Sequence, residues 1–302
     1  MSSSSHGHKA ILYAFLSNLG IALAKTWAAL FTGSGSLLAE AIHSFADCGN
    51  QVLLYVGLRQ SQRPADPEHP LAYGKLSYFW SFVVAILLFS VGGLFSIYEG
   101  WHKLANHEPL NLPWVGLLIL AFSVVLEGLS LRGCLNEIAS LRGTRSLWAW
   151  LRTTRNAELV VVLGEDAAAL VGLTFALSGL GLATLTGDTG YDAMGSIAVG
   201  VVLVTVSIFV ASHIKTLIVG RSAEPEAEQA IKKVITEEPD ITHLLNLITL
   251  QFGRDIMVAA KISMPPDLSV GEAIPKVNAL EKKIKHTIPQ VRWCFVEIDN
   301  QD

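Results

Sequence analysis

Six stretches of the chain are almost continuously apolar, near 10–32, 37–58, 76–102, 112–134, 157–182 and 191–217. Each is long enough, at about 1.5 Å per residue, to cross a hydrocarbon core of about 30 Å as a helix. Gly92-Gly93 and the glycines at 179 and 181 fall inside these runs, where small residues let helices pack closely. After residue 221 the period changes. Residues 224–237 put Ala227, Ala230, Ile231 and Val234 on one face of an amphipathic helix. Residues 244–251 and 257–264 read as strands around a Gly253-Arg254-Asp255 turn. Residues 269–287 read as a helix with Ser269 as its N-cap and Glu272 three residues on, and Pro289 precedes a last strand at 291–298. The order αββαβ predicts a truncated ferredoxin-like unit, a small sheet with helices on one face. The expected fold is an α-helical membrane protein: a six-transmembrane-helix bundle over 10–220, then an α+β ferredoxin-like domain over 221–302. Residues 1–9 are expected to be disordered.

Composition agrees with a membrane location. Of 302 residues, 51% are hydrophobic and 16% charged, against about a quarter charged in soluble domains. Basic residues orient the helices. Arg59, Arg63 and Lys75 follow the second, Arg142, Arg145, Arg152 and Arg155 follow the fourth, and Lys215 and Arg221 end the sixth. The other connections hold almost none, so both termini are expected on the cytoplasmic side, in the plasma (inner) membrane. Residues 222–302 are acidic overall and carry no basic stripe, which excludes a nucleic-acid partner. At about 80 residues this tail has a marginal core, so a homodimer is expected. Cys48, Cys134 and Cys294 are far apart in sequence and support neither a disulfide framework nor a thiolate zinc site. His6-Gly7-His8 reads as part of a polar start rather than a metal site.

The second apolar stretch breaks its own pattern. His43 and Asp47 stand at i and i+4, stacked on one helix face. Ionisable groups inside a membrane cost several kcal/mol unless something compensates them, and this spacing suits a metal ion. Asp47 is about ten residues, or roughly 15 Å, into its helix, and Glu165-Asp166 are at a similar height in the fifth. Two acidic clusters therefore meet near the midplane. One imidazole with carboxylates suits zinc, and imidazole also suits cobalt, nickel and iron. Reversible binding is what a carrier needs, and protons compete for the same groups. Asp66 and His69, in the connection after the second helix, form a second and more exposed candidate pair. Lys25 and Glu40 are expected to pair with each other, and Glu99 and Glu127 are expected to be structural.

The runs GSGSLLAEAIHSFADCGNQ, DPEHPLAYGK and VVLGEDAAALVG, with DAMGS after them, resemble the cation diffusion facilitator family, in its zinc-transporter-9-like branch. The resemblance implies a homodimeric antiporter in the lipid bilayer that exports Zn2+, or Fe2+, Mn2+, Co2+ or Ni2+, from the cytoplasm in exchange for protons. The family's helix 2 ligand pair matches His43 and Asp47. Its helix 5 HxxxD motif matches only at Asp166, with Val162 at the histidine position, and whether Glu165 substitutes stays open. The loop site of some relatives matches at Asp66 and His69, with Tyr73 where a second histidine is expected. His243 and His286 are the tail's only histidines, so dimerisation rather than metal sensing is its expected role. The alternative is a membrane scaffold or regulator that keeps the fold without transport. An enzyme is not expected, because no HExxH or nucleophile motif is present.

Overall fold

A computed structural model describes residues 3–106 and 109–301, with side chains described from Asn18 onward apart from 88, 89 and 91. The side chains of His6 and His8 lie outside the described residues. The element order is α1 (Ser3–Thr32), α2 (Gly35–Ser61), α3 (Leu76–Val83), a π-helical turn (Val84–Phe89), α4 (Ser90–Asn106), α5 (Pro113–Arg142), α6 (Leu147–Thr153), α7 (Ala157–Thr186), α8 (Gly190–Val219), α9 (Pro225–Thr236), β1 (His243–Phe252), β2 (Asp255–Ser263), α10 (Val270–Thr287) and β3 (Val291–Ile298). α1 begins at Ser3. The segment holds no proline, and once an apolar helix is nucleated each added residue extends it cheaply.

The chain divides into two compact units, one of 1–57, 80–144 and 158–214, the other of 58–79, 145–157 and 215–302. In the first, four helical stretches among the described residues are long and apolar enough to cross a membrane: Leu76–Asn106, Pro113–Arg142, Ala157–Thr186 and Gly190–Val219. α2 is long enough at 27 residues. It is less apolar because Ser36, Glu40, His43, Ser44, Asp47 and Asn50 interrupt it, and all six are buried. α5 shows the opposite face to its surroundings. Leu118, Phe122, Val125 and Leu129 are exposed at helical spacing, as lipid-facing residues are, whereas Leu120, Ser123, Cys134 and Ile138 on the other side are buried.

The third apolar run is one helix to the eye but not in detail. Its middle widens into the π-helical turn, and the Ser207 hydroxyl of α8 donates to the Ala85 carbonyl there. Just beyond, α4 and α8 come into backbone contact, since a Cβ on Gly200 would fall 2.5 Å from the Gly93 carbonyl oxygen. Only glycine permits that approach.

The second unit contains the sheet, ordered β1-β2-β3, with β1 antiparallel and β3 parallel to β2. The parallel pair requires a crossover, which α10 supplies. Alternate residues of β2 (Ile256, Val258, Ala260 and Ile262) are buried against Ile231, Ile235, Leu280 and Ile284 of α9 and α10. Fully buried isoleucines such as Ile231 and Ile284 contribute about 1.5–3 kcal/mol each. Glu272 accepts from the backbone N–H and the hydroxyl of Ser269, fixing the start of α10. The other sheet face leaves Ile248 and Phe295 exposed.

The same unit holds the 62–75 loop. A Cβ on Gly74 would lie 2.4 Å from the Phe252 carbonyl oxygen, and Gly253 has φ +62° in the β1–β2 turn. The Tyr78 hydroxyl donates to the Gly253 carbonyl at 3.1 Å, and Lys75 Nζ sits 4.8 Å from the Phe252 ring centroid. Two glycines thus let a loop lie directly on a hairpin turn.

Candidate metal site

α2 starts where Gly33, at φ +71°, breaks the chain away from α1. Its unpaired N-terminal groups are met by a carboxylate from α8. Asp192 accepts from Ser34 Oγ and the Gly35 N–H, each at 2.7 Å, and from Ser36 Oγ. A negative charge at a helix N-terminus is favourable, and here it also fixes the height of everything α2 carries.

Two turns on, Lys25 of α1 lies 3.4 Å from Glu40 and donates to Ser44 Oγ at 2.8 Å, with lysine and glutamate 1% and 0% exposed. The expected pairing is therefore present. Its other glutamate oxygen is buried without a hydrogen bond, beside Gly172 of α7, where a Cβ would come within 2.8 Å.

Next along α2, His43 Nδ1 is 3.5 Å from Asp47 Oδ1, and both side chains are buried. That oxygen accepts no hydrogen bond of good geometry. Across from it, Glu165 of α7 lies beside Asp47 and Asn50. Asp166 turns the other way, toward α5, where Ser130 Oγ donates to both its oxygens at 3.2 Å. Neighbouring helix positions point about 100° apart, yet both carboxylates line one cavity because helices α2 and α5 flank it on either side.

That cavity has a volume of about 130 Å³, room for an ion and a few waters at about 30 Å³ each. Its walls are Asn18 and Ile21 from α1, Ser44, Asp47, Gln51 and Leu54 from α2, Leu126, Glu127 and Ser130 from α5, and Val162, Glu165 and Asp166 from α7. His43 stands behind Asp47 rather than in the wall. Among the described residues, no three His, Cys, Asp or Glu side chains converge closely enough to form a closed metal cage. The arrangement is an acid-lined chamber that a divalent cation would compensate.

Glu127, expected to be structural, lines the chamber as well. It stands on the inner stripe of α5, seven residues after Leu120 and seven before Cys134, and that stripe is the sequence signal for its inward position.

Asp66 and His69 are also brought together, at 3.4 Å between Oδ1 and Nδ1, but in the exposed loop. Asp66 Oδ1 accepts from the His69 and Glu68 N–H groups and Oδ2 accepts from the Tyr73 hydroxyl at 2.6 Å. These bonds, the tyrosine's first, hold the Asp66 carboxyl below the usual carboxylate range. Tyr73 thus occupies the expected second-histidine position as a hydrogen-bond donor. In the tail, burial pushes the Cys294 thiol up to about 11, which keeps it protonated at neutral pH.

A cation efflux transmembrane domain matches residues 11–215, and a cation efflux protein cytoplasmic domain, of the ZT_dimer type, matches residues 223–301. The chain belongs to the cation efflux family. That family consists of transporters and not enzymes, and its members are integral, multi-pass membrane proteins. One relative is the proton-coupled zinc antiporter SLC30A9, mitochondrial, of Xenopus laevis, 35% identical over 231 residues, covering 76% of this chain and 41% of the relative. The Homo sapiens protein of the same name is 33% identical over 310 residues, covering 89% of this chain and 54% of the relative. The chain thus spans about half the length of these antiporters. The magnetosome protein MamB of Magnetospirillum gryphiswaldense is 23% identical over 287 residues, covering 93% of this chain and 90% of that one. The word mitochondrial in the antiporters' names gives no support to the plasma membrane expected from the sequence.

Proposed function

We propose that this chain moves divalent metal cations, zinc first among them, across a membrane in exchange for protons, with the ion held in the chamber between α2, α5 and α7. The observation that carries this reading is that Asp47, Glu165 and Asp166, from two helices, line one small cavity inside a unit built of long apolar helices. Asp47 brings a buried oxygen that lacks a hydrogen bond, a costly arrangement that an ion relieves. His43, in contact with Asp47, orients that carboxylate and adds an imidazole if its side chain turns inward. Proton coupling rests on the printed names of the antiporter relatives. It fits the chemistry, since metal-binding carboxylates and imidazoles must shed protons to ligate. Six helical crossings, made by α1, α2, the 76–106 helix, α5, α7 and α8, leave both termini on one face, which the basic connections mark as cytoplasmic. Residues 221–302 pair two copies of the chain, and the uncovered sheet face with Ile248 and Phe295 is apolar enough to take part.

The second reading, a scaffold that no longer transports, is favoured by one residue: Val162 lines the chamber where the resemblance expects a histidine. Proteoliposomes distinguish the two. Zinc should accumulate against an imposed pH gradient, stop when a protonophore collapses it, and fail with Asp166→Ala. Wild-type vesicles that pass no zinc, iron, manganese, cobalt or nickel would make the scaffold the better account.

A further inference from the structure

The chamber's donors are all oxygens. Its wall holds carboxylates from Asp47, Glu127, Glu165 and Asp166, carboxamides from Asn18 and Gln51 and hydroxyls from Ser44 and Ser130, with no imidazole or thiolate. Asp47 is 8% exposed, and its Oδ1, like Oε1 of Gln51, is buried without a hydrogen bond. Buried acceptors without a hydrogen bond are costly in a packed interior, and both belong to residues that line the chamber.

Glu127 differs from a structural acid in three ways. It stands on the inward stripe of α5, away from the lipid-facing Leu118, Phe122, Val125 and Leu129. Among the described residues it has no hydrogen bond or close ion pair, and the charge of Lys25 acts on it only from a distance. Its charge also reaches Asp47, Glu165 and Asp166, placing it within their shared field. The resemblance expects an imidazole from α7, but Val162 supplies no donor at all. Glu127 is the carboxylate that a third helix brings to the same wall.

We propose that Glu127 is a metal-binding carboxylate that replaces the imidazole missing at Val162, and that the resulting oxygen-lined site narrows the preference for zinc over manganese. This rests on the reading of the chamber as the transport site. The reason is donor chemistry. Carboxylate and carbonyl oxygens suit manganese and other hard cations, whereas imidazole favours zinc, iron, copper and nickel. At any such site zinc still binds more tightly than manganese, so the signature is the ratio of the two affinities and not their order.

The test is equilibrium binding of Zn2+ and of Mn2+, each alone, to the full chain in detergent for wild type, Glu127→Gln, Glu127→His and Asp47→Ala. Glu127→Gln should weaken manganese by at least about tenfold and zinc by less. Glu127→His should widen the zinc-to-manganese affinity ratio by about tenfold or more. Unchanged affinities for both metals in both Glu127 variants, with binding lost in Asp47→Ala, would overturn this inference and leave the chamber intact as the site. Wild-type binding in Asp47→Ala would overturn the chamber itself, and Glu127's role with it. The thermal unfolding midpoint of each variant separates a lost ligand from a lost fold. If Glu127→Gln unfolds, Glu127→His decides.

Discussion

The protein contains two aspartate–histidine pairs with almost the same separation, 3.5 Å between Asp47 and His43 and 3.4 Å between Asp66 and His69. Distance does not distinguish them. Surroundings do. Asp66 stands in a turn, 42% exposed, and its two oxygens are taken up by two backbone N–H groups and the Tyr73 hydroxyl. Asp47 is buried, and one of its oxygens accepts no hydrogen bond. Water can satisfy the first carboxylate wherever the protein does not, whereas the second has only what the cavity contains. The proposed ligand thus differs from the exposed carboxylate not in its spacing to a histidine but in the bonds it is left without.

The largest effect expected from breaking that contrast is at the buried pair. Asp47→Asn keeps shape and removes charge, and zinc affinity measured by calorimetry should fall by at least about tenfold. Next comes the cation that stands nearest it. Lys25→Met leaves Glu40 buried without its partner and should destabilise the chain by about 3–5 kcal/mol, read as a lowered unfolding midpoint. Adding Glu40→Gln should recover most of that loss. A smaller cost is expected where the loop meets the sheet turn. Gly74→Ala places a Cβ against the Phe252 backbone and should cost about 1–3 kcal/mol through overpacking, visible as faster hydrogen exchange in 62–75.

The smallest effect belongs to the exposed pair. Because the Asp66 carboxyl is held below its free value of about 3.9, the loop binds the ionised form. Its contribution is whole above that value and is lost as pH falls through the depressed one. Protection of 62–75 against hydrogen exchange, taken relative to the intrinsic rate at each pH, should therefore be constant near neutrality and fall only in acid, whereas Asp66→Asn should lower it at all pH values. Loss of protection in wild type already at pH 6 would contradict the assignment of the loop's order to the Asp66 carboxylate.

Much of this was legible in the sequence because it depends on local period. The αββαβ order, the Ser269–Glu272 capping box and β3 at Val291–Ile298 follow from alternation, turn residues and cap spacing. The Lys25–Glu40 pair followed from cost alone, since each is intolerable in an apolar helix by itself. What escaped depends on helices far apart in the chain. Glu165 and Asp166 could not be assigned from α7, because it is α2 on one side and α5 on the other that lets both face one cavity. The place of Glu127 in the chamber wall was hidden for the same reason, since Ser130, one turn on, bonds to an aspartate of another helix. The π-helical turn at Val84–Phe89 is invisible in a run of apolar residues, since Ser207, more than a hundred positions later, meets its exposed carbonyl. The role of Tyr73 was likewise hidden, because a histidine-position comparison does not show what a tyrosine hydroxyl does for Asp66.

The most direct measurement is zinc flux driven by a pH gradient in proteoliposomes carrying wild type, Asp47→Asn or Asp66→Asn. If the buried pair holds the transported ion and the exposed pair orders a loop, Asp66→Asn transports within about twofold of wild type and Asp47→Asn does not transport above protein-free vesicles. Flux that survives Asp47→Asn, or that is lost only with Asp66→Asn, would contradict the account.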